Sequence, residues 1–279
     1  MRSIAIINQK GGVGKTTTAV NLSAALARSG QRVGIIDIDP QAHASLHLGL
    51  DPQARVPTVY DLLTEETPIA DLWQRPGTAP EGEENLWVAA SHIDLAAAEV
   101  ELAGVVGREV ILRDKLAVAA DDFDYVLIDC PPSLGILTIN ALAAVDDVFL
   151  PLQPHFLALH GLSKLLKTIG LVHERLNERL ALAGVVLCLY ESGTKLAAEV
   201  SRDVEQFFKE ARKGNRAWST VRLFETRIRR NIRLAESPSF GQSIFEYAPG
   251  SPGAEDYRAL GGEVLAYYAG RQLLEAAAA

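Results

Sequence analysis

Cysteine is nearly absent: Cys130 and Cys188 are the only two in 279 residues, too few for a disulfide framework. No C-x-x-C pair occurs, so the chain lacks the usual ligand set of an iron–sulfur carrier or reductase. No apolar run approaches the roughly 20 residues that span a bilayer. Nothing at the start resembles a signal peptide, because Met1-Arg2 leads directly into a strand-like run. Together these absences predict a reducing cytoplasm. Internal repeats are missing as well. Charged residues make up 22% of the chain and hydrophobic ones 48%, enough for a full core and too apolar for disorder. The net charge of −8, taken as a sum, disfavours a polyanionic partner.

The informative stretch that is present is Lys10-Gly11-Gly12-Val13-Gly14-Lys15-Thr16-Thr17. It follows the apolar run Ser3 to Ile7 and precedes Thr18 to Arg28, which has helical character. Strand, glycine-rich turn and Lys-Thr opening a helix is the setting of a phosphate-cradling loop. The glycines let backbone N–H groups crowd toward one anion, and the helix N-terminus adds its dipole. Lys15 supplies a point charge for β- and γ-phosphates, and the Thr16 hydroxyl is a natural Mg²⁺ ligand.

Further strand-like runs are Arg32 to Asp37, Asn85 to Ala90, Tyr125 to Asp129, Val148 to Leu152, Gly184 to Leu189 and, more weakly, Thr220 to Phe224. Helical segments lie between them near Asp94 to Ala103, Arg108 to Ala119, Leu137 to Ala144, Leu159 to Arg179 and Lys195 to Ala211. This alternation predicts one α/β domain over 1–279, doubly wound on a mostly parallel sheet. Residues 75–84, with Pro76, Gly77, Pro80 and Gly82, read as a surface insertion, and 274–279 as a frayed tail. Two acidic sites close strands, where open α/β sheets bind ligands: Asp37 and Asp39 after the second, and Asp129 after the apolar run Tyr125 to Ile128. Such an aspartate can hold Mg²⁺ through water.

Counted back from Lys15, the general loop pattern expects glycine where Gln9 stands. The run Lys10-Gly-Gly-Val-Gly-Lys15-Thr instead resembles the deviant loop of the ParA/MinD family of partition ATPases. That resemblance implies a P-loop fold, ATP and Mg²⁺ as cofactors, and a role for Lys10 at the nucleotide of a partner subunit, coupling ATP to dimerisation. Asp37-Ile38-Asp39-Pro40-Gln41 resembles the family's first switch, which implies that Asp39 orients the attacking water and Asp37 joins the metal and water network. The chain then departs from the usual Gly-Asn-Ala-Thr, reading Ala42-His43-Ala44-Ser45. Asp129-Cys130-Pro131-Pro132-Ser133-Leu134-Gly135 resembles the second switch, with Pro131 and Gly135 as moving parts. Thr226 to Ser239 and Gly253-Ala254-Glu255-Asp256-Tyr257 are similar to segments of ParA-type chromosome and plasmid partition proteins, and the strand that begins at once resembles the short chromosomal type. There the resemblance implies an adenine contact at Asn231, although Arg229 stands where proline is usual.

Between Arg202 and Arg233 there are ten Lys/Arg against four Asp/Glu, a local +6 that leaves −14 on the rest. A basic face on an acidic chain is what sequence-independent double-stranded DNA binding requires. Lys195, Arg222, Arg230 and Arg233 are the candidate contacts. An arginine that many ParA proteins carry after the equivalent of Leu189-Tyr190 is missing, and Lys195 lies nearby. The resemblance thus implies an ATP-dependent homodimer on the nucleoid, switched off when a ParB-like protein stimulates hydrolysis. A related ATPase that positions a protein cargo would share every motif. A MinD-like membrane cycle would want a basic amphipathic C-terminal helix, but Glu263 to Ala279 has Arg271 as its only cation, so no stable membrane association is expected.

Overall fold

The apolar runs pair side by side into an eight-stranded sheet. The computed structural model describes the chain apart from residues 52–53, 55, 78–81, 156–161, 192, 194, 213–215 and 279, and the side chains of 196, 216 and 274–278. The strands are β1 (Arg2–Ile6), β2 (Val33–Asp37), β3 (Trp73–Gln74), β4 (Leu86–Ala89), β5 (Tyr125–Asp129), β6 (Asp147–Leu152), β7 (Ala181–Tyr190) and β8 (Arg222–Arg229). Their order is β3-β4-β2-β5-β1-β6-β7-β8. Every pairing is parallel except β3 with β4.

The helices are α1 (Lys15–Arg28), α2 (His43–His47), α3 (Val59–Thr64), α4 (Leu95–Glu101), α5 (Ile111–Ala117), α6 (Ile136–Ala144), α7 (Leu162–Arg175), α8 (Lys195–Ala211), α9 (Ile232–Glu236), α10 (Ile244–Tyr247) and α11 (Pro252–Ala278). They cover both faces of the sheet. Alternation along β1 divides the core: Ala5 and Ile7 face the layer of α3 to α8, whereas Ile4 and Ile6 face α1 and α11. Strands buried on both faces need continuous apolar sequence, which is why β2 and β5 were legible as unbroken runs.

One expectation is revised. β8 extends to Arg229, well past Phe224, so the Thr226–Ser239 segment begins as strand. Its alternating charges, Glu225, Arg227 and Arg229, suit an edge strand and hide its period. The sequence reading did not anticipate β3 or the 27-residue α11. The ends of the 75–84 stretch are tied into the fold: Gly77 N–H donates to the Leu48 carbonyl at 2.8 Å, and Glu83 is buried with its carboxylate accepting from Ser243 Oγ at 2.7 Å. Pro80, Ser192, Thr194 and Lys213 lie outside the described residues, as do the side chains of the expected frayed tail.

Candidate functional site

Asp37 pairs in register with Asp129, and Asp129 with Ile6, so the ends of β2, β5 and β1 bring the acidic residues to the glycine-rich loop. Gly12 and Gly14 have φ of +70° and +93°, the left-handed region where other residues are strained. A Cβ at Gly14 would also lie 3.4 Å from Cys188 Cβ. The loop therefore turns tightly into α1, which no side chain caps, leaving its first N–H groups available to an anion.

Lys15 is 7% exposed, and its Nζ donates to the Lys10 carbonyl at 3.2 Å. Burial pushes its pKa below the ordinary lysine value, against the pull of Asp129 and Asp39. Thr16 Oγ1 donates to Asp129 Oδ2 at 2.7 Å. Asp129 is fully buried, and its Oδ1 has no hydrogen-bond partner. Burial raises its pKa well above the carboxylate range, with the charge of Asp37 adding to the rise. An orphaned buried carboxylate oxygen beside a hydroxyl fits a hard cation. Among the described residues no group of three or more His, Cys, Asp or Glu forms a cage. The donor set is therefore of the Mg²⁺ type, in which a few protein oxygens share the ion with phosphate and water.

Asp37 is equally buried but its oxygens are occupied. Oδ1 accepts from Asp39 N–H at 3.2 Å, and Oδ2 accepts from Ser45 N–H at 2.8 Å and Ser45 Oγ at 2.7 Å. Burial pushes its pKa up to about 6, and these donors oppose the rise. Asp39 is 7% exposed, and its Oδ1 accepts from Gln41 N–H at 3.0 Å. Pro40 and the exposed Gln41 continue this turn, and Ala42 follows with φ of +52°. His43 is exposed, on the rim of a cavity of about 670 Å³ that also touches Thr16, Thr17 and His47. His47 is buried, lowered to about 4 by that burial, with Nε2 3.2 Å from Ser237 Oγ.

At the second switch, Cys130 is a buried thiol packed under the loop, its pKa raised well above the ordinary value by burial. Pro131 is also buried. Gly135 has φ of −74°, so left-handed geometry does not require glycine there. Nor does space: a Cβ would meet the carboxylate of Glu99, the tip of an exposed side chain that can swing aside.

On the other side of the loop, a cavity of about 170 Å³ joins Gly12, Gly14 and Thr17 to Cys188, Leu189, Arg229 and Asn231. Asn231 caps α9 by accepting from Arg233 N–H at 2.8 Å. Arg229 is drawn away, its guanidinium bonded to Asp256, Glu255 and the Pro252 carbonyl. Tyr257 reaches Thr18 Oγ1 at 3.1 Å, so the late sequence segment packs beneath the phosphate loop. Lys10 lies at the exposed rim, its Nζ against His155 Nε2.

The basic window does not form one free cationic face. Arg222 pairs with Glu263 at 3.3 Å and lies over the rings of Phe224 and Tyr267. Arg230 pairs with Glu191 at 2.8 Å and Arg233 with Glu236 at 2.9 Å. Every one of these carboxylates lies outside Arg202 to Arg233, so the local +6 is largely offset by the fold. Lys195 is exposed at the start of α8.

Comparison with known proteins identifies the family. A family model described as an AAA domain matches residues 1–182. The sporulation initiation inhibitor protein Soj of Bacillus subtilis is 44% identical over 263 residues, covering 94% of this chain and 98% of Soj. The chromosome partitioning protein ParA of Myxococcus xanthus is 44% identical over 264 residues, covering 95% and 88%. Among solved structures, cobyrinic acid a,c-diamide synthase of Mycobacterium smegmatis, crystallised with an ATP analogue and magnesium, superposes with a TM-score of 0.79 at 34% identity over 96% of both chains. The cell division ATPase MinD of Pyrococcus furiosus gives 0.73 at 27% identity, over 95% of this chain and 99% of MinD. With its eight-stranded sheet and its phosphate loop facing paired strand-end aspartates, the chain belongs to the ParA/Soj family of chromosome-partitioning ATPases.

Proposed function

We propose that this chain is a single ATPase domain whose Mg·ATP form is a homodimer that binds double-stranded DNA without sequence preference. A ParB-like protein stimulates hydrolysis, the dimer opens and the DNA is released, in the cytoplasm on the nucleoid. The observation that carries this reading is the juxtaposition of Lys15, the Thr16–Asp129 pair with its orphaned oxygen, and Asp39. Gly11, Gly12, Val13, Gly14 and Thr17 supply the backbone cradle around the phosphates. Lys15 holds the β- and γ-phosphates. Thr16 and Asp129 hold the cation, with Asp37 directly opposite Asp129 on the neighbouring β2. When bound, Mg²⁺ neutralises charge that develops between the β- and γ-phosphates. Asp39 aims the attacking water, and Lys10 leaves His155 to reach the nucleotide of the second subunit. The cavity at Asn231 takes the base.

For the DNA surface, Lys195, Arg202 and Lys209 recur every seven residues, so they share the exposed face of α8. Arg230 and Arg233 sit in ion pairs whose partners are more than one-third exposed. Such pairs contribute under about 1 kcal/mol, so DNA phosphates can displace them. Arg222, packed between rings, is the least available of the four candidate contacts. The test is DNA co-sedimentation with ATP, with ADP and without nucleotide. Binding confined to the ATP form and lost steeply with salt supports the reading. Equal binding by the ATP and ADP forms at moderate salt overturns it.

A further inference from the structure

Two serines outside every recognised motif hold the first switch. Ser91 lies two residues beyond the end of β4, fully buried, beside the loop that leaves β2. Its Oγ donates to the Asp39 carbonyl at 2.7 Å, and its N–H donates to Ser45 Oγ at 3.0 Å. Ser45, also fully buried, donates both its hydroxyl and its N–H to Asp37 Oδ2. Asp37 Oδ1 closes the ring by accepting from Asp39 N–H. The main chain of Asp39 is thus gripped at both polar atoms, the N–H by Asp37 and the carbonyl by Ser91.

We propose that Ser45 and Ser91 are positioning residues for ATP hydrolysis: the closed ring Asp37–Ser45–Ser91–Asp39 fixes the peptide from which the Asp39 carboxylate is aimed at the attacking water. The proposal rests on the reading of Asp39 as the residue that orients that water. Three members of the ring are wholly out of solvent, so water does not replace a lost bond. The ring also ties together the ends of two neighbouring strands, since Ser91 follows β4 while Asp37 closes β2 and Asp39 follows it. Asp39 is therefore located relative to the sheet and not only to its own loop. A misplacement of about 1 Å in a positioned group can lower a rate about 100-fold with binding intact. A merely structural serine would lower stability and leave the ratio of turnover to affinity alone.

The experiment compares Ser91→Ala, Ser91→Thr, Asp39→Ala and the Ser91→Ala/Asp39→Ala double variant. ATP affinity is read by calorimetry, dimerisation by light scattering and single-turnover phosphate release by rapid mixing. Ser91→Ala is expected to bind ATP within about twofold of wild type and to dimerise, but to release phosphate about 10- to 100-fold more slowly. Ser91→Thr, which restores the hydroxyl, should recover most of that rate. The double variant should be no slower than Asp39→Ala. A slow Asp39→Ala beside a Ser91→Ala at wild-type rate overturns the ring's role alone. Asp39→Ala at wild-type rate overturns the Asp39 reading and the ring with it. A Ser91→Ala whose rate loss only follows lost ATP affinity also overturns the proposal. Ser45→Ala, which opens the same ring from the Asp37 side, gives the same readout if Ser91→Ala does not fold.

Discussion

Removing magnesium should make stability fall more steeply with pH. Asp37 and Asp129 are both wholly buried, and burial raises both folded-state pKa values above the ordinary carboxylate value. For a raised pKa the contribution to stability is complete below the unfolded value and is lost as pH rises through the folded one. Asp37 is pushed up to about 6 from 3.8. Between pH 5.5 and 7.5 that shift alone removes about 0.8 kcal/mol from the ligand-free chain, or roughly 1–2 °C in melting temperature. Asp129 adds to the loss with the same sign. A cation at the Thr16–Asp129 site favours the ionised forms, so by linkage its affinity gains what the free protein loses. Melting temperature should fall with pH under ADP and EDTA and fall less, or rise, under ADP and Mg²⁺. The EDTA arm carries the protonation of the nucleotide itself, so the difference between arms isolates the cation. Parallel curves in the two arms would refute the assignment of these buried acids to the metal site.

Other expectations follow from single contacts. Lys15→Ala should weaken ATP binding by at least ~30-fold, about 2 kcal/mol, because it strips a buried cation from the phosphates; calorimetry checks this. Lys10→Ala should bind ATP near wild-type affinity yet remain a monomer by light scattering, since its side chain lies at the exposed rim and contributes little to its own subunit's site. Asp39→Ala should dimerise with ATP and hydrolyse about 100-fold more slowly; a variant that stays monomeric contradicts the assignment. Glu191→Gln should tighten DNA binding several-fold by freeing Arg230, with ATP affinity unchanged in the same preparation.

The phosphate loop was legible because its chemistry is local. Gly12, Gly14, Lys15 and Thr16 lie within one short turn of chain, so their spacing alone places them together. Asp37 and Asp129 were legible because an apolar run ending in a carboxylate marks a strand end. Their division of labour was not. Only the fold shows that Asp37 spends its oxygens on Ser45 and Asp39 while Asp129 keeps one oxygen without a partner. Ser45 and Ser91 carried no signal beyond the departure Ala42-His43-Ala44-Ser45, because Ser91 meets Ser45 and Asp39 only across 46 and 52 residues of chain. β8 was misjudged for a related reason: an edge strand studded with arginines has no apolar period to read.

Charge is where sequence and structure part most clearly. A count along the chain treats Arg202 to Arg233 as a patch, but electrostatics acts through space. Glu191, Glu236, Glu255, Asp256 and Glu263 fold back onto the arginines of that window from both sides in sequence. A monomer therefore presents a weak and interrupted cationic surface. Strong binding to a polyanion needs either rupture of exposed pairs or a second copy of the same surface. Exposed pairs yield readily, each contributing under about 1 kcal/mol. A second copy on one rigid body raises the effective concentration of phosphate contacts without any new residue. On the proposed reading, the neutralised face would make DNA binding depend on ATP: a fully free basic patch would hold DNA as a monomer, and a phosphate at Lys15 would then have nothing to switch.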